Sequence, residues 1–484
     1  MAFTSRRLFL GTSLSTLGTG SILLGQDPRD AAAGAFLRRP NVEFPAFEPT
    51  TLFLTWHRDP TTTMVVQWIG TRGETADTTI QYTTDPAAWA PKPPAARTAD
   101  APPAAAPTPA TAATPAPVTG TGASAPATAA PKAKTIAWQS QKPILKPYPM
   151  TDFQVFRAEL TGLTPGTDYA FKIGKSSGIY RFRTMPAKAT DTITFVSGGD
   201  SGINSAAVAN NLMAARQNPH FAVIGGDLGY DNGRSVEVSI AFIRNWSKTM
   251  IDSDGRLIPM VPCIGNHEVD GGYTRDRAKS PFFLALFDGL YPSTTYNTLD
   301  FGDYLSLVLL DSGHLSPIGG EQALWLEKTL RAREDLPHTI AVNHVPAYPS
   351  NRNPLPTPAK GDKKASAGTG EENRKYWVPL FDKYRVPLVL EHHDHTFKRT
   401  KPLLGGLPHP NGVLYLGDGS WGRLRSLRPT DDLHVMFKTS SDYHITLHKI
   451  QGQERFHMAM DERSRVMDVS HTGQRKRGII AVQG

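Results

Sequence analysis

The stretch Phe221-Ala222-Val223-Ile224-Gly225-Gly226-Asp227-Leu228-Gly229-Tyr230 joins a short apolar run to a turn that carries a carboxylate and a phenol. Four apolar residues bounded by glycines are typical of a strand that is buried on both faces, as in a parallel sheet. In open α/β sheets, ligands bind outside the carboxyl ends of the strands. The stretch therefore predicts an α/β fold in which Asp227 and Tyr230 lie at a ligand site.

The same order of apolar run and polar block recurs after residue 191. Strands that end at such blocks are predicted over Ile193–Ser197, Phe221–Ile224, Ile258–Ile264, Leu305–Leu310, Thr339–Val342 and Pro387–Leu390. Helices are predicted between them, over Asn204–Arg216, Val236–Met250 and Glu321–Arg333. The later region Leu433–Ser470 is strand-like, and we expect it to close the sheet edge with its histidines at the surface. The alternation of strands and helices predicts one α/β domain over residues 190–470.

Five polar blocks follow these strands and are rich in metal-binding residue types. They are Gly199-Asp200-Ser201-Gly202, Gly226-Asp227-Leu228-Gly229-Tyr230, Gly265-Asn266-His267-Glu268, Ala341-Val342-Asn343-His344 and His392-His393-Asp394-His395. Two carboxylates, a phenol and an imidazole make an oxygen-rich set suited to ferric iron, whereas a carboxylate, an amide oxygen and two imidazoles suit a divalent ion. The blocks therefore predict two metal ions that share a carboxylate.

In this order the five blocks resemble those of the purple acid phosphatases, a branch of the calcineurin-like metallophosphoesterases. The resemblance covers roughly residues 50–470 and implies a four-layer αββα sandwich for the catalytic domain. Gly202 stands where most relatives in the wider superfamily have a histidine, and Tyr230 appears instead in the second block. That exchange marks the purple branch.

The resemblance also implies a role for each residue of the blocks. Ferric iron would be bound by Asp200, Asp227, Tyr230 and His395. A second, divalent ion, which is zinc, iron or manganese, would be bound by Asn266, His344 and His393, with Asp227 as the bridge.

The reaction implied is the hydrolysis of phosphate monoesters by a metal-bound hydroxide that attacks phosphorus. His267 is predicted to assist the leaving group as a general acid, and Glu268 is predicted to orient His267. The expected partner is a small phosphate ester.

Two residues depart from the family pattern. Ala341 stands where the family usually has valine, which is a conservative apolar change. His392 stands where the family usually has glycine, so its ring would either crowd the site or contact phosphate. The run from Glu391 to His395 also permits another ligand register, although His393 and His395 match the block best because side chains two apart lie on one side of an extended chain.

Residues 45–187 are expected to form an all-β sandwich ahead of the catalytic domain. Strands are predicted over Thr63–Ile69, Thr78–Thr83, Phe153–Leu160, Tyr169–Gly174 and Tyr180–Thr184. The segment from Leu163 to Tyr169 resembles the tyrosine corner of fibronectin type III domains. Residues 86–134 are rich in Ala, Pro and Thr and are predicted to form a disordered insertion.

Residues 1–35 are predicted to be an export signal and linker. Ser5-Arg6-Arg7-Leu8-Phe9-Leu10 resembles a twin-arginine signal, and a weakly apolar stretch follows it. The single Cys263 excludes an intramolecular disulfide, which agrees with an export route that carries folded proteins. The protein is therefore expected in the periplasm or the medium, with a basic tail over residues 471–484.

The composition favours anionic substrates and argues against nucleic acid and a membrane span. The chain has 52 Lys and Arg against 44 Asp and Glu, a formal charge of +8 that would mildly concentrate anionic substrates. It has no basic stripe with interleaved aromatic residues, so no nucleic-acid partner is predicted. It has no run of about 18 apolar residues, so no membrane span is predicted.

Two other functions stay open at the level of sequence. A phosphodiesterase or an alkaline phosphatase could use the same metal ligands, since the five blocks do not choose the ester. A noncatalytic exported binding or adhesion protein would use the β-sandwich and need no metal. The complete ligand set argues against the noncatalytic alternative.

Overall fold

The computed structural model describes residues 45–90, 135–189, 192–360, 365–427 and 434–473. The predicted export signal, most of the predicted insertion (residues 91–134) and most of the predicted basic tail (residues 474–484) lie outside these described residues. Residues from Ala46 onward group into one compact unit. Among the described residues, no helix combines the length and the apolar character that a membrane crossing needs.

The N-terminal region forms two antiparallel sheets of four strands, ordered β1-β2-β6-β5 and β4-β3-β7-β8. The strands are β1 Phe53–Thr55, β2 Met64–Gly70, β3 Ile80–Thr83, β4 Gln139–Gln141, β5 Ile144–Pro147, β6 Gln154–Leu160, β7 Asp168–Ile173 and β8 Tyr180–Arg183. Tyr169 lies on β7, and its hydroxyl accepts a hydrogen bond of 2.8 Å from the amide of Thr164 in the turn before that strand. This is the contact that a tyrosine corner predicts.

The catalytic region contains a six-stranded sheet, β11-β10-β9-β21-β22-β23, and a seven-stranded sheet, β12-β13-β14-β15-β19-β16-β20. Its strands are β9 Ile193–Gly198, β10 Phe221–Ile224, β11 Met260–Pro262, β12 Asn297–Phe301, β13 Leu305–Leu309, β14 His338–Val342, β15 Leu388–Glu391, β16 Phe397–Thr400, β17 Leu403–Leu404, β18 Leu407–Pro408, β19 Leu414–Asp418, β20 Met436–Ser440, β21 His444–Gln451, β22 Glu454–Asp461 and β23 Val466–Thr472. Its α-helices are α1 Ser205–Arg216, α2 Val236–Thr249, α3 Pro281–Phe287, α4 Glu321–Arg331, α5 Glu371–Tyr376 and α6 Val378–Lys383.

Alternate residues of the seven-stranded sheet enter two different hydrophobic cores. Leu307 on β13 and Leu390 on β15 join the large core that also contains β9 and β10. Val308 and Val389, one residue away on the same strands, pack with α4 and α6 in a second core. Because successive side chains of a strand point to opposite faces, one face meets the other sheet and the other face meets helices. This arrangement confirms the predicted αββα sandwich.

Parallel pairing places the polar blocks at one edge of the molecule. β9, β10 and β11 run parallel in one sheet, and β13, β14, β15 and β19 run parallel in the other. The carboxyl ends of parallel strands meet at the same edge of a sheet, which is where open α/β sheets bind ligands. The five blocks follow these ends.

The helices predicted after residue 204 are confirmed, because α1, α2 and α4 match them to within two residues. Residues 433–470 supply an edge strand to each sheet, as expected, but the expectation that their histidines lie at the surface is wrong. β20 is an edge strand of the larger sheet, whereas β21 lies inside the smaller sheet between β9 and β22. His448 on β21 is consequently buried, stacks on Phe195 at 4.4 Å and hydrogen-bonds Ser197 at 2.7 Å.

A buried arginine joins the β-sandwich to the catalytic region. Arg157 on β6 donates to the Asp288 carboxylate at 2.6 Å and to the Ala285 and Leu286 carbonyls at 2.9 and 2.8 Å. These carbonyls belong to the last turn of α3, where backbone acceptors have no partner within the helix. Arg157, on a strand of the β-sandwich, therefore caps helix α3 of the catalytic region.

We expect Arg157→Leu to lower the free energy of unfolding by about 3 kcal/mol, because it removes a charged donor from Asp288 and from two helix-end carbonyls. Urea denaturation followed by circular dichroism measures the change. Arg58→Leu is the matched control, since Arg58 also pairs with a carboxylate but its side chain is 67% exposed, and it should cost less than about 1 kcal/mol. Equal losses in the two variants would contradict the role of Arg157.

Candidate metal centre

Four side chains from four different strand ends converge on one buried point. The ligand atoms of Asp200, Asp227, His344 and His393 all lie within 4.8 Å of one another, and all four residues are buried. They follow β9, β10, β14 and β15, which are the strands that the sequence placed before the blocks. Residues separated by almost two hundred positions thus meet because their strands run parallel.

Backbone strain is concentrated at this point. In the part of the chain that the structure describes, five of the ten non-glycine residues with positive φ are predicted ligands: Asp200 (58°), Asp227 (55°), Tyr230 (65°), His393 (74°) and His395 (59°). This conformation is unfavourable for residues with a Cβ and persists where the surrounding structure enforces it, often at functional sites. The strain turns each side chain toward the shared point.

One half of the centre is built around His344. Its Nε2 lies 3.3 Å from Asp227 Oδ1, 3.1 Å from Asn266 Oδ1 and 3.0 Å from His393 Nδ1. Its Nδ1 lies 2.9 Å from the Gly225 carbonyl, to which it donates, so Nε2 faces the cluster. A backbone partner of this kind fixes the ring of a metal-binding histidine.

The other half joins Asp200, Tyr230 and His395. The Tyr230 hydroxyl lies 3.0 Å from His395 Nε2 and 3.3 Å from Asp200 Oδ1, and His395 Nε2 lies 3.0 Å from the same Asp200 oxygen. Burial, with the nearby Asp200 and Asp227, raises the pKa of Tyr230 well above its ordinary value. A phenolate at this position therefore requires a cation beside it.

The donor set fits metal ions. Asp227 Oδ2 is buried and has no hydrogen-bond partner among the described residues. Burial alone would raise the pKa of Asp227, but the surrounding histidines, His344 first, hold that pKa far below its usual range. Burial would lower the pKa of His344, but Asp227 raises it to about 9. The Asp227 carboxylate thus favours positively charged groups beside it, and bound cations would be such groups.

His267 lies at the open side of the cluster. Its ring centroid is 4.2 Å from that of Tyr230, its Nε2 is 3.9 Å from Asp227 Oδ2, and its side chain is 32% exposed. Its Nδ1 hydrogen-bonds the Asn232 side-chain carbonyl. Sequence reasoning missed Asn232, whose one signal is its place directly after the second block.

Glu268 does not have the contact that was predicted for it. Its carboxylate accepts hydrogen bonds from the Asp227 and Gly265 amides at 2.8 Å and from the Leu228 amide at 2.7 Å, and it is fully buried. Asn232, and not Glu268, holds the ring of His267. Glu268 therefore ties the second block to the third and orients the turn that carries Asp227.

His392 fills space beneath the cluster. A Cβ built on Gly199 would lie 2.7 Å from the His392 ring, and one built on Gly225 would lie 1.9 Å from it. The His392 Nδ1 is 2.9 Å from the Asn343 carbonyl. The ring is accommodated by two glycines, so the crowding expected from this departure is not observed.

His314 is buried beside the metal centre. It is fully buried, its ring centroid is 5.5 Å from that of His344, and its Nδ1 is 3.2 Å from the Gly272 carbonyl. Asp311 fixes this loop by accepting a 2.7 Å hydrogen bond from the His314 amide. His314 therefore packs behind the His344 ring.

Two protein families match the chain. Purple acid phosphatase, N-terminal domain, matches residues 49–196, and calcineurin-like phosphoesterase matches residues 190–397. Purple acid phosphatase 21 of Arabidopsis thaliana is 25% identical over 65% of this chain and 70% of its own length. Acid phosphatase type 7 of Homo sapiens is 27% identical over 57% of this chain and 66% of its own length.

Solved structures share the fold. A purple acid phosphatase from yellow lupin (Lupinus luteus) has a TM-score of 0.60 at 13% identity and covers 88% of this chain and 74% of its own. PhoD has a TM-score of 0.55 at 11% identity and covers 89% of this chain and 90% of its own. These likenesses concern the fold alone. Across the curated relatives, this chain spans from 52% to 70% of their length.

Asp227→Ala is expected to remove both metal ions, because Asp227 lies beside both halves of the centre. Metal analysis after dialysis measures this, with circular dichroism to establish folding. Asn266→Ala should lose one ion and keep the other, since Asn266 contacts only the His344 half. Asp303→Ala is the control, because Asp303 is exposed in the turn between β12 and β13. An Asp227 variant with its full metal content would refute a shared ligand.

Proposed function

The chain belongs to the calcineurin-like phosphoesterases and carries the purple acid phosphatase N-terminal domain, and we propose that it hydrolyses phosphate monoesters. Its family makes it a metal-dependent phosphoesterase of the acid phosphatase type. The observation that carries this proposal is the convergence of Asp200, Asp227, His344 and His393 within 4.8 Å. The substrate is a small phosphate ester. The names of the relatives, which are acid phosphatases, support a monoester as substrate.

The proposed ligands divide into two sets around Asp227. Asp200, Tyr230 and His395 would hold ferric iron, because carboxylate and phenolate oxygens suit a hard cation. Asn266, His344 and His393 would hold a divalent ion, which is zinc, iron or manganese. The contacts within each half support this division.

The metal ions would supply an activated water and positive charge for an in-line displacement at phosphorus. The protein's own contribution is the proton for the leaving group. Asn232 holds His267 through Nδ1, which directs Nε2 toward the open side of the cluster. As the bond from phosphorus to the ester oxygen breaks, His267 donates its Nε2 proton to the departing alkoxide.

Export by the twin-arginine route to the periplasm or the medium is part of the proposal. It is supported by the sequence around Arg6 and Arg7, together with a cysteine that is buried and unpaired. Fractionation of cells that express the chain, compared with an Arg6→Lys, Arg7→Lys variant, tests the route.

The proposed substrate class is tested with p-nitrophenyl phosphate and bis(p-nitrophenyl) phosphate between about pH 4 and about pH 9. We expect kcat/KM for the monoester to exceed that for the diester by more than about tenfold, with its maximum below about pH 7. A preference for the diester would establish a phosphodiesterase. A maximum on the alkaline side would establish an alkaline phosphatase.

His267→Ala is expected to lower kcat about a hundredfold, which is the usual size of a lost general acid, and to keep the full metal content. Asn232→Ala should lower kcat less, by about tenfold, because the ring remains but loses its fixed orientation. His409→Ala is the control, since His409 is exposed on a turn. Unchanged kcat in His267→Ala would remove the residue from the mechanism.

Tyr230→Phe tests the iron assignment by absorption spectroscopy. Phenolate bound to ferric iron gives a visible charge-transfer band, so the wild-type protein should be coloured and the variant colourless at equal iron content. The proposal of ferric iron fails if the active wild-type enzyme contains no iron.

A further inference from the structure

A short segment after β19 lies along the rim of the metal centre and is fixed to it at three points. The Trp421 amide donates to the Gly199 carbonyl at 3.1 Å, and the Gly422 amide donates to the Asp200 carbonyl at 3.1 Å. The Arg425 amide donates to the His395 carbonyl at 2.9 Å. The side chains of residues 423 and 425 are therefore held beside both the first block and the fifth.

Arg423 covers the ring of Tyr230. Its guanidinium carbon lies 4.1 Å from the Tyr230 ring centroid. Gly202 creates the room, because a Cβ there would lie 3.3 Å from Arg423 Nε and 3.6 Å from the Tyr230 ring. The glycine that replaces the histidine of other superfamily members thus coincides with an arginine at the mouth of the site.

Neither Arg423 nor Arg425 forms an ion pair with a carboxylate of the described residues. Arg423 Nε is buried and has no hydrogen-bond acceptor, whereas Arg425 Nε contacts His395 Nδ1 at 3.3 Å. Elsewhere the partly buried Arg399 is paired with Asp468 at 2.6 Å. Guanidinium groups match phosphate oxygens in shape and charge, so two arginines that have no carboxylate partner among the described residues indicate an anion site.

Both arginines lie outside the proposed ligand shell. Arg425 contacts Nδ1 of His395, whereas Nε2 of the same ring faces Asp200 and Tyr230. Arg423 lies over the face of the Tyr230 ring, whose hydroxyl points to the cluster. Each guanidinium is therefore separated from the ligand cluster by one aromatic ring. At that distance it would contact a different part of the substrate.

We propose that Arg423 and Arg425 bind a second phosphate group on the alcohol part of the substrate, so that the enzyme prefers bisphosphates to singly phosphorylated esters. This inference rests on the proposed function for its catalytic consequence. The binding site itself does not depend on turnover.

Fructose 1,6-bisphosphate and fructose 6-phosphate test the preference, because they differ by one phosphate group. We expect wild-type kcat/KM to favour the bisphosphate by about tenfold or more, as charge-assisted contacts of this kind allow. The variant Arg423→Gln, Arg425→Gln should reduce the preference, which is the ratio of the two kcat/KM values, to about twofold or less, mainly through KM for the bisphosphate.

Arg331→Gln is the matched control. Arg331 is an exposed arginine at the end of α4, a helix that leads into the amino end of β14, away from the site. It should leave the preference unchanged. Arg423→Lys should retain part of the preference, since it keeps the charge and loses the planar fork.

Binding of propane-1,3-diphosphonate and propylphosphonate, measured by calorimetry, separates the two proposals because neither compound is hydrolysed. The diphosphonate should bind about tenfold tighter to the wild-type protein, and this ratio should disappear in the double variant. If the ratio appears without hydrolysis of any ester, the subsite stands and the proposed function fails. If esters are hydrolysed but the double variant keeps the wild-type ratio, or both compounds lose affinity equally, the subsite is refuted.

Discussion

The carboxylates of Asp200 and Asp227 are fully buried, and their ligand oxygens lie within 4.8 Å of each other. Two like charges at that distance in a poorly polarisable interior repel strongly, so both remain ionised only where positive charge is close. In the protein alone, His344 supplies part of that charge, as its raised pKa shows. Cations would supply it more fully and leave the imidazole nitrogens free to bind them. The two buried carboxylates of the site therefore need positive charge close to them.

Backbone amides, as well as side chains, stabilise these two carboxylates. The His267 amide donates to Asp227 Oδ1 at 2.8 Å, and the His393 amide donates to Asp200 Oδ2 at 2.8 Å. Such close backbone approach leaves no room for a side chain, since a Cβ on Gly265 would lie 2.4 Å from Asp227 Oδ1. Oriented N–H groups stabilise a buried carboxylate without neutralising it. They therefore hold one oxygen of each carboxylate and leave the other available as a metal ligand.

The sequence predicted the parts of the fold that depend on local signals. Buried parallel strands appear in the sequence as uninterrupted apolar runs. Helices α1, α2 and α4 are eleven to fourteen residues long, which is long enough for the sequence to indicate a helix. Helices α3, α5 and α6 have six or seven residues, too few for a period to appear. Asn232 escaped prediction because its role is a contact with His267, 35 positions away. The buried imidazole of His448 escaped because polar residues become buried only where distant partners satisfy them.

His392 shows how a departure from a motif depends on its spatial neighbours. Read along the chain, a histidine in place of glycine beside two predicted ligands suggests a crowded site. In space, its ring occupies the volume that Gly199 and Gly225 leave open, directly after strands β9 and β10 of the other sheet. A side chain at either glycine would have to displace that ring, so the three positions form one packing unit across the interface between the sheets. The tolerance of the fifth block for a larger residue is therefore set by Gly199 in the first block and by Gly225 directly before the second.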